Sequence, residues 1–176
     1  TSTGEGITVE NVYGDRIITI SNLRARTANY VLTLKSSMLQ LGDKNYTTAA
    51  NNRAISITKF SDTVDLYKFN LDNTGLTVPY YIPTTLTSLD EMFAHCKTFN
   101  DLAVTYWNTE NITNMAGTFD RCNAFNQPLN WSTHQVTTMK AMFRNCHVFD
   151  QDINNWNVGQ VTDMESMFMG CKVFNQ

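Results

Sequence analysis

The chain is 176 residues long, with a formal net charge of −3 and only 16% charged residues, and it can bury a sizeable core as one domain or two small ones. Its 13 Lys and Arg against 16 Asp and Glu leave no basic stripe to displace counterions, which excludes nucleic acid as the expected partner. It holds no run of 18 apolar residues, so no membrane-spanning helix is expected.

The chain opens at Thr1 without an apolar secretory segment, as expected of a processed or partial polypeptide. Residues 1–60 carry short, β-branched stretches at Ile7–Val9, Arg16–Ile20, Tyr30–Leu34 and Ala54–Ile57. These predict a small antiparallel β region, with a hairpin across Gly14. This region is expected to serve as a cap, or else as a small domain with its own partner. Residues 61–85 are transitional: Phe60, Leu66, Phe69, Leu71, Leu76, Val78 and Ile82 have the spacing of degenerate repeat units, and Pro79 and Pro83 mark a turn.

From position 86 to 176 a repeat with a period of roughly 24–26 residues takes over. Its units begin Leu86-Thr-Ser-Leu89, Ile112-Thr-Asn-Met115, Val136-Thr-Thr-Met139 and Val161-Thr-Asp-Met164. Each continues with a Phe (Phe93, Phe119, Phe143, Phe168), a Cys (Cys96, Cys122, Cys146, Cys171) and a second Phe (Phe99, Phe125, Phe149, Phe174). Trp107, Trp131 and Trp156 close the three complete units, and the fourth is incomplete. Self-similarity at this period predicts a repeat solenoid whose units bury their apolar faces against one another. The steps of three and four between Met, Phe and Cys predict a short helical or 3₁₀ segment in each unit. The alternation in Phe125–Leu129 and Phe149–Ile153 predicts one short strand, limited by Pro128. Asn and Thr make up a quarter of the residues, a bias toward polar turns and side-chain ladders.

The pattern Val-Thr-x-Met-x-x-Met-Phe-x-x-Cys-x-x-Phe-Asn-Gln-x-Leu-x-x-Trp resembles the BspA-like leucine-rich-repeat family of surface proteins, in the Met-Phe-rich form found in mycoplasma lipoproteins and in other microbial and viral proteins. The resemblance covers about residues 86–176. It is close over Val136–Trp156; Ile112–Trp131 has Thr118 where Met is usual, and the first unit has Asp101-Leu102-Ala-Val-Thr in place of the Asn-Gln segment. It implies a leucine-rich-repeat-like fold, a secreted or surface-exposed adhesive role and no defined active site.

Candidate chemistry is sparse. His-Glu-x-x-His, Gly-x-Ser-x-Gly, P-loop and dinucleotide fingerprints are all missing from the sequence, so neither an enzyme nor a cofactor is expected. The carboxylates at Asp62/Asp65, Asp90/Glu91 and Asp163/Glu165 read as a solvated face. His95 and His147 adjoin cysteines, but cysteines a full repeat apart do not make the short-spaced ligand pairs that zinc needs. Asp150-Gln-Asp152 is too thin for calcium. The thiols are expected free and buried, because parallel ladder side chains do not point at one another. Gln127 and Gln151, with Asn100, Asn126, Asp150 and Asn175 beside them, are expected to form a hydrogen-bonded ladder, with ligand contact as the alternative. Trp107, Trp131 and Trp156 are expected in the core or at its edge, with exposed contacts to a glycan or protein as the alternative. Asn45, Asn111 and Asn130 stand in glycosylation sequons, which matter only in a eukaryotic setting.

The function expected is therefore a non-enzymatic recognition or adhesion module at the cell surface, contacting protein or glycan. The alternative is a structural assembly protein, for instance of a virion, whose repeats dock neighbouring subunits. At the carboxyl end the unit Val161–Gln176 lacks its closing Trp. The array is accordingly expected to continue, or to be covered by another chain on Met164–Gln176.

Overall fold

The computed structural model describes residues 6–12, 15–21, 38–42, 54–56, 66–70 and 75–176, with side chains from Lys68 onward except over 70–74. Strands β1 (Gly6–Val12) and β2 (Asp15–Ser21) pair antiparallel, with Val12 opposite Asp15. The two residues between them, Tyr13 and Gly14, are where the hairpin was expected. The strand expected at Tyr30–Leu34 lies outside the described residues.

The other described amino-terminal strands pair in parallel, not antiparallel as expected. Strand β3 (Met38–Gly42) runs parallel to β5 (Leu66–Asn70), and β4 (Ala54–Ser56) runs parallel to β6 (Gly75–Thr77). The partners Met38↔Leu66 and Ala54↔Gly75 stand about as far apart in the chain as equivalent positions of the later repeat. Parallel neighbours at one turn's separation are what a chain winding in stacked turns produces, and a hairpin cannot produce them.

Beyond residue 86 the units lie one upon the next. A single parallel bridge per unit joins Ser88 to Asn114, Asn114 to Thr138 and Thr138 to Asp163. At each junction alternate backbone N–H groups donate forward. Met115, Gly117, Phe119 and Arg121 donate to the carbonyls of Thr138, Lys140, Met142 and Arg144, at 2.7–3.0 Å. Met139, Ala141, Phe143 and Asn145 repeat this toward Asp163, Glu165, Met167 and Met169.

The short helical segment expected in each unit is not formed. Leu89–Phe99 is a run of reverse turns instead, with Met92 N bonded to Leu89 O, Cys96 N to Phe93 O and Phe99 N to Cys96 O. Each unit has two backbone positions in the left-handed region: Glu91, Gly117, Ala141 and Ser166 at φ 50–59°, and His95, Arg121, Asn145 and Gly170 at φ 60–78°. A reversal of φ every four residues breaks helical continuity, and it turns alternate N–H groups outward to serve the next unit. Closure at three residues still brings apolar side chains inward at helix-like steps. That is why the spacing resembles a helix. Among the described residues the only 3₁₀ turn is Leu102–Tyr106.

The bend opens with a side-chain oxygen. Ser88, Asn114, Thr138 and Asp163 each accept from the N–H two residues on, at 2.9–3.3 Å, a local bond of the kind these residue types favour in turns. The strand expected at Phe125–Leu129 is also not formed. Pro128 has no N–H to give a ladder, and the junction there is made by side chains.

The core is a set of aromatic columns. Phe93, Phe119, Phe143 and Phe168 repeat at 5.6–5.7 Å between ring centroids. Phe99, Phe125, Phe149 and Phe174 form a second column at 5.8–6.1 Å. Within a unit the two rings stack at 3.9–4.2 Å. Phe69 continues the first column downward, 5.8 Å from Phe93, and its N–H donates to Met92 O. Leu76, Val78 and Ile82 are buried in the same core. Phe69, Leu76, Val78 and Ile82 thus take core places like those of a unit, without its consensus sequence.

Candidate functional site

The side chains singled out by the repeat serve to hold units together. Cys122, Cys146 and Cys171 each direct their thiol at the Phe carbonyl of the unit before, Phe93, Phe119 and Phe143, at 3.0 Å, and Cys96 does the same to Phe69. All four are free; Cys171 is half-buried and the others are buried. A small apolar residue with a weak donor suits a slot facing a carbonyl. Burial pushes the Cys122, Cys146 and Cys171 thiols above their ordinary range.

The tryptophans are not a contact surface. Trp107, Trp131 and Trp156 are buried, and their indole N–H groups donate to Pro79, Val104 and Leu129 carbonyls of the preceding turn at 2.7–3.1 Å. The indole uses its apolar body as core and its single donor as a tie, the usual settlement for a buried Trp.

Asn100, Asn126, Asp150 and Asn175 stand in one row along the units, half-buried to exposed. Asn100, Asn126 and Asp150 each accept through Oδ1 from the backbone N–H of the next unit, at Asn126, Asp150 and Asn175. Gln127, Gln151 and Gln176 reach back to the same oxygens at 2.9–3.1 Å. This is the expected ladder, and it supplies the inter-unit bonds that the missing strand does not. Thr118, where Met is usual, is buried with its hydroxyl donating to Met115 O and within reach of Leu89 O. That satisfies a polar group which would otherwise be costly in the core.

Charges likewise pair across units. Asp120, buried, is held bidentately by Arg144, with His95 Nε2 3.9 Å away. Lys68 bridges Asp90 and Glu91 at 2.8–2.9 Å, and Lys140 pairs with Glu165. Among the described residues no group of three or more His, Cys, Asp or Glu is placed to hold a metal ion, and no helix is long and apolar enough to cross a membrane. Of the sequon asparagines, Asn111 and Asn130 are exposed, with Asn111 donating to Thr84 O; Asn45 lies outside the described residues.

What the structure leaves open to a partner is a group the repeat pattern did not select. Tyr80, Tyr81 and Tyr106 expose 63%, 51% and 62% of their surface, with Leu102 at 45%. The Tyr80 and Tyr106 rings lie 5.5 Å apart at 57°. The segments bearing them are locked together. Asp101 accepts from Val78 N at 2.8 Å and from Ala103 N at 3.0 Å, and Trp107 Nε1 donates to Pro79 O at 2.8 Å. The sequence signal was the Asp101–Thr105 departure, which builds the turn Leu102–Tyr106 and carries Tyr106 to Tyr80.

The described units thus stack turn upon turn in register, with repeated Phe, Cys and Trp columns as their core. Residues 87–176, just over half of the chain, match the family described as Mycoplasma protein of unknown function, DUF285. The chain belongs to that family. No curated protein and no solved structure matches it.

Proposed function

We propose that the protein is a non-enzymatic recognition or adhesion module of the cell surface, built on a repeat solenoid of the BspA-like leucine-rich-repeat kind. The repeat period and the parallel bridges between units support that kinship. The turns that replace the helical segment limit it to period and stacking. The observation that carries the functional reading is the exposed tyrosine group around Tyr80 and Tyr106. Among the described residues the Phe and Trp rings are buried or half-buried, and aromatic side chains left in water are the usual anchors of a binding surface. Beads coated with the protein should adhere to cells or extracellular matrix, and a Tyr80→Ala/Tyr106→Ala protein should lose most of that adherence while keeping its thermal midpoint. Adherence unaffected by the double substitution would remove the site, and none on any surface would remove the reading.

Assembly is the second reading, supported by Met164, Met169 and Val173, which expose 41%, 54% and 50% of their surface on the last described unit. Sedimentation at rising concentration separates the two. Oligomers abolished by Met169→Lys favour assembly, and a concentration-independent monomer favours adhesion.

A further inference from the structure

We infer that Tyr80 and Tyr106 form a platform for a neutral glycan, stacking on the C–H face of a pyranose ring. This rests on the recognition reading and names the class of partner.

Three observations select that class. The first is charge. From Gly75 to Leu89, and again from Leu102 to Thr109, the sequence has no Asp, Glu, Lys or Arg. Asp101, between these stretches, has both carboxylate oxygens engaged with backbone N–H groups. A sialylated or sulfated ligand, or a charged peptide, would find no counter-charge on either of these two segments, and a charge desolvated without one is costly.

The second is area. Aromatic side chains bury about 150–250 Å² each, so two tyrosines exposed by 63% and 62% offer roughly 250 Å². A standard protein partner covers about 800 Å² per side. The patch is under half of that, and it is the size of one or two sugar rings.

The third is preorganisation. Two largely exposed rings 5.5 Å apart and inclined at 57° present adjoining aromatic faces, and each phenol carries a hydroxyl that can exchange hydrogen bonds with sugar hydroxyls. The bonds from Trp107 to Pro79 and from Val78 to Asp101 fix the two backbones before any ligand arrives. A weak, small-area ligand depends on that reduced loss of ordering entropy.

The test is titration of the full chain with chitohexaose, cellohexaose and maltohexaose, and with sialyllactose as the charged counter-probe, by calorimetry and by NMR. At least one neutral hexasaccharide should bind and sialyllactose should not. Tyr106→Ala and Tyr80→Ala should each weaken binding at least tenfold with the unfolding midpoint unchanged, because both side chains lie largely in water. Tyr106→Phe, which keeps the ring, should cost less than Tyr106→Ala. The proposal is overturned if no neutral oligosaccharide binds at millimolar concentration, or if binding survives the double alanine substitution. Periodate-treated cells decide between this idea and the broader one. Adherence that persists after sugar oxidation, yet still depends on Tyr80 and Tyr106, points to a protein partner. That result sinks the glycan inference and leaves the recognition module standing.

Discussion

Phe143 sits where the columns can be tested most severely. It is fully buried, with Phe119 and Phe168 at 5.7 Å above and below, Phe149 at 4.1 Å and Trp156 at 6.0 Å. Phe143→Ala removes roughly 100–150 Å² of apolar contact, about 2.5–4 kcal/mol at ~25 cal/mol per Å². The walls of the resulting hole are tied by forward backbone bonds at Phe119, Arg121, Phe143 and Asn145, so they cannot collapse inward. The cavity term therefore stays in full, and the cost falls in the upper part of the range of about 3–5 kcal/mol for Phe→Ala. Among the described residues Phe168 is half-buried against Phe143 and Phe174, so in a protein of these 176 residues Phe168→Ala should cost about half as much. Urea unfolding followed by tryptophan fluorescence reads both. Because units are coupled in series, Phe143→Ala should also shallow the transition, as the two flanking blocks begin to unfold separately. A cost below about 1 kcal/mol for Phe143→Ala, or equal costs for the two substitutions, would refute the column as the source of cohesion.

Three further outcomes are expected. A thiol reagent at pH 8 should label Cys171 first, and Cys96, Cys122 and Cys146 only as the protein unfolds, since burial both shields these thiols and suppresses the Cys122 and Cys146 thiolates; rapid native labelling of all four, read by mass spectrometry, would contradict the ladder. Ala141, at φ 53°, should gain up to about 1 kcal/mol on replacement by Gly, whereas Gly170→Ala should lose about 1–3 kcal/mol, because its φ is 78° and the new Cβ would run into Asn145 Oδ1; denaturation midpoints moving the other way would refute the turn assignment. His95 is held below its ordinary value by burial, with Asp120 opposing and Arg121 and Arg144 reinforcing. The unfolded chain therefore takes up that proton first, and the stability His95 contributes is complete above about pH 6.5 and lost as pH falls through and below it. His95→Gln should flatten that acid limb, and an unchanged limb would show that the ring is solvated.

The period and the inward positions were legible because they rest on side-chain hydrophobicity, which the sequence displays directly. The nine buried repeat positions from Phe93 to Phe149 are core, and Phe168, Cys171 and Phe174 pack against it from the edge. The backbone was less legible. Closure at three residues and a 3₁₀ turn place Met139, Met142 and Cys146 alike, and only the left-handed positions tell them apart. Gly117 and Gly170 signal such a position; Glu91, Arg121 and Ala141 do not, because forward bonds from the neighbouring unit hold them there against local preference. The parallel pairing of β3 with β5 was hidden for a related reason, since Met38–Gly42 acquires its partner only a full turn later, at Leu66–Asn70. The tyrosine group was half-visible. The break in the repeat at Asp101–Thr105 was plain, but the meeting of Tyr106 with Tyr80 needs the turn that the break creates.

The forward bonds have a mechanical meaning. They run from each unit to the next, with bonds such as Thr137 N to Thr113 O running the opposite way, and the aromatic columns pass through the same units. A pull applied along the stack loads one junction at a time, so the weakest interface opens while the others stay intact. Each unit that opens releases one repeat of chain, which at about 3.3–3.6 Å per residue is on the order of 80–90 Å of slack. An array of this design, pulled along its axis, would therefore lengthen in steps of one unit rather than give way all at once.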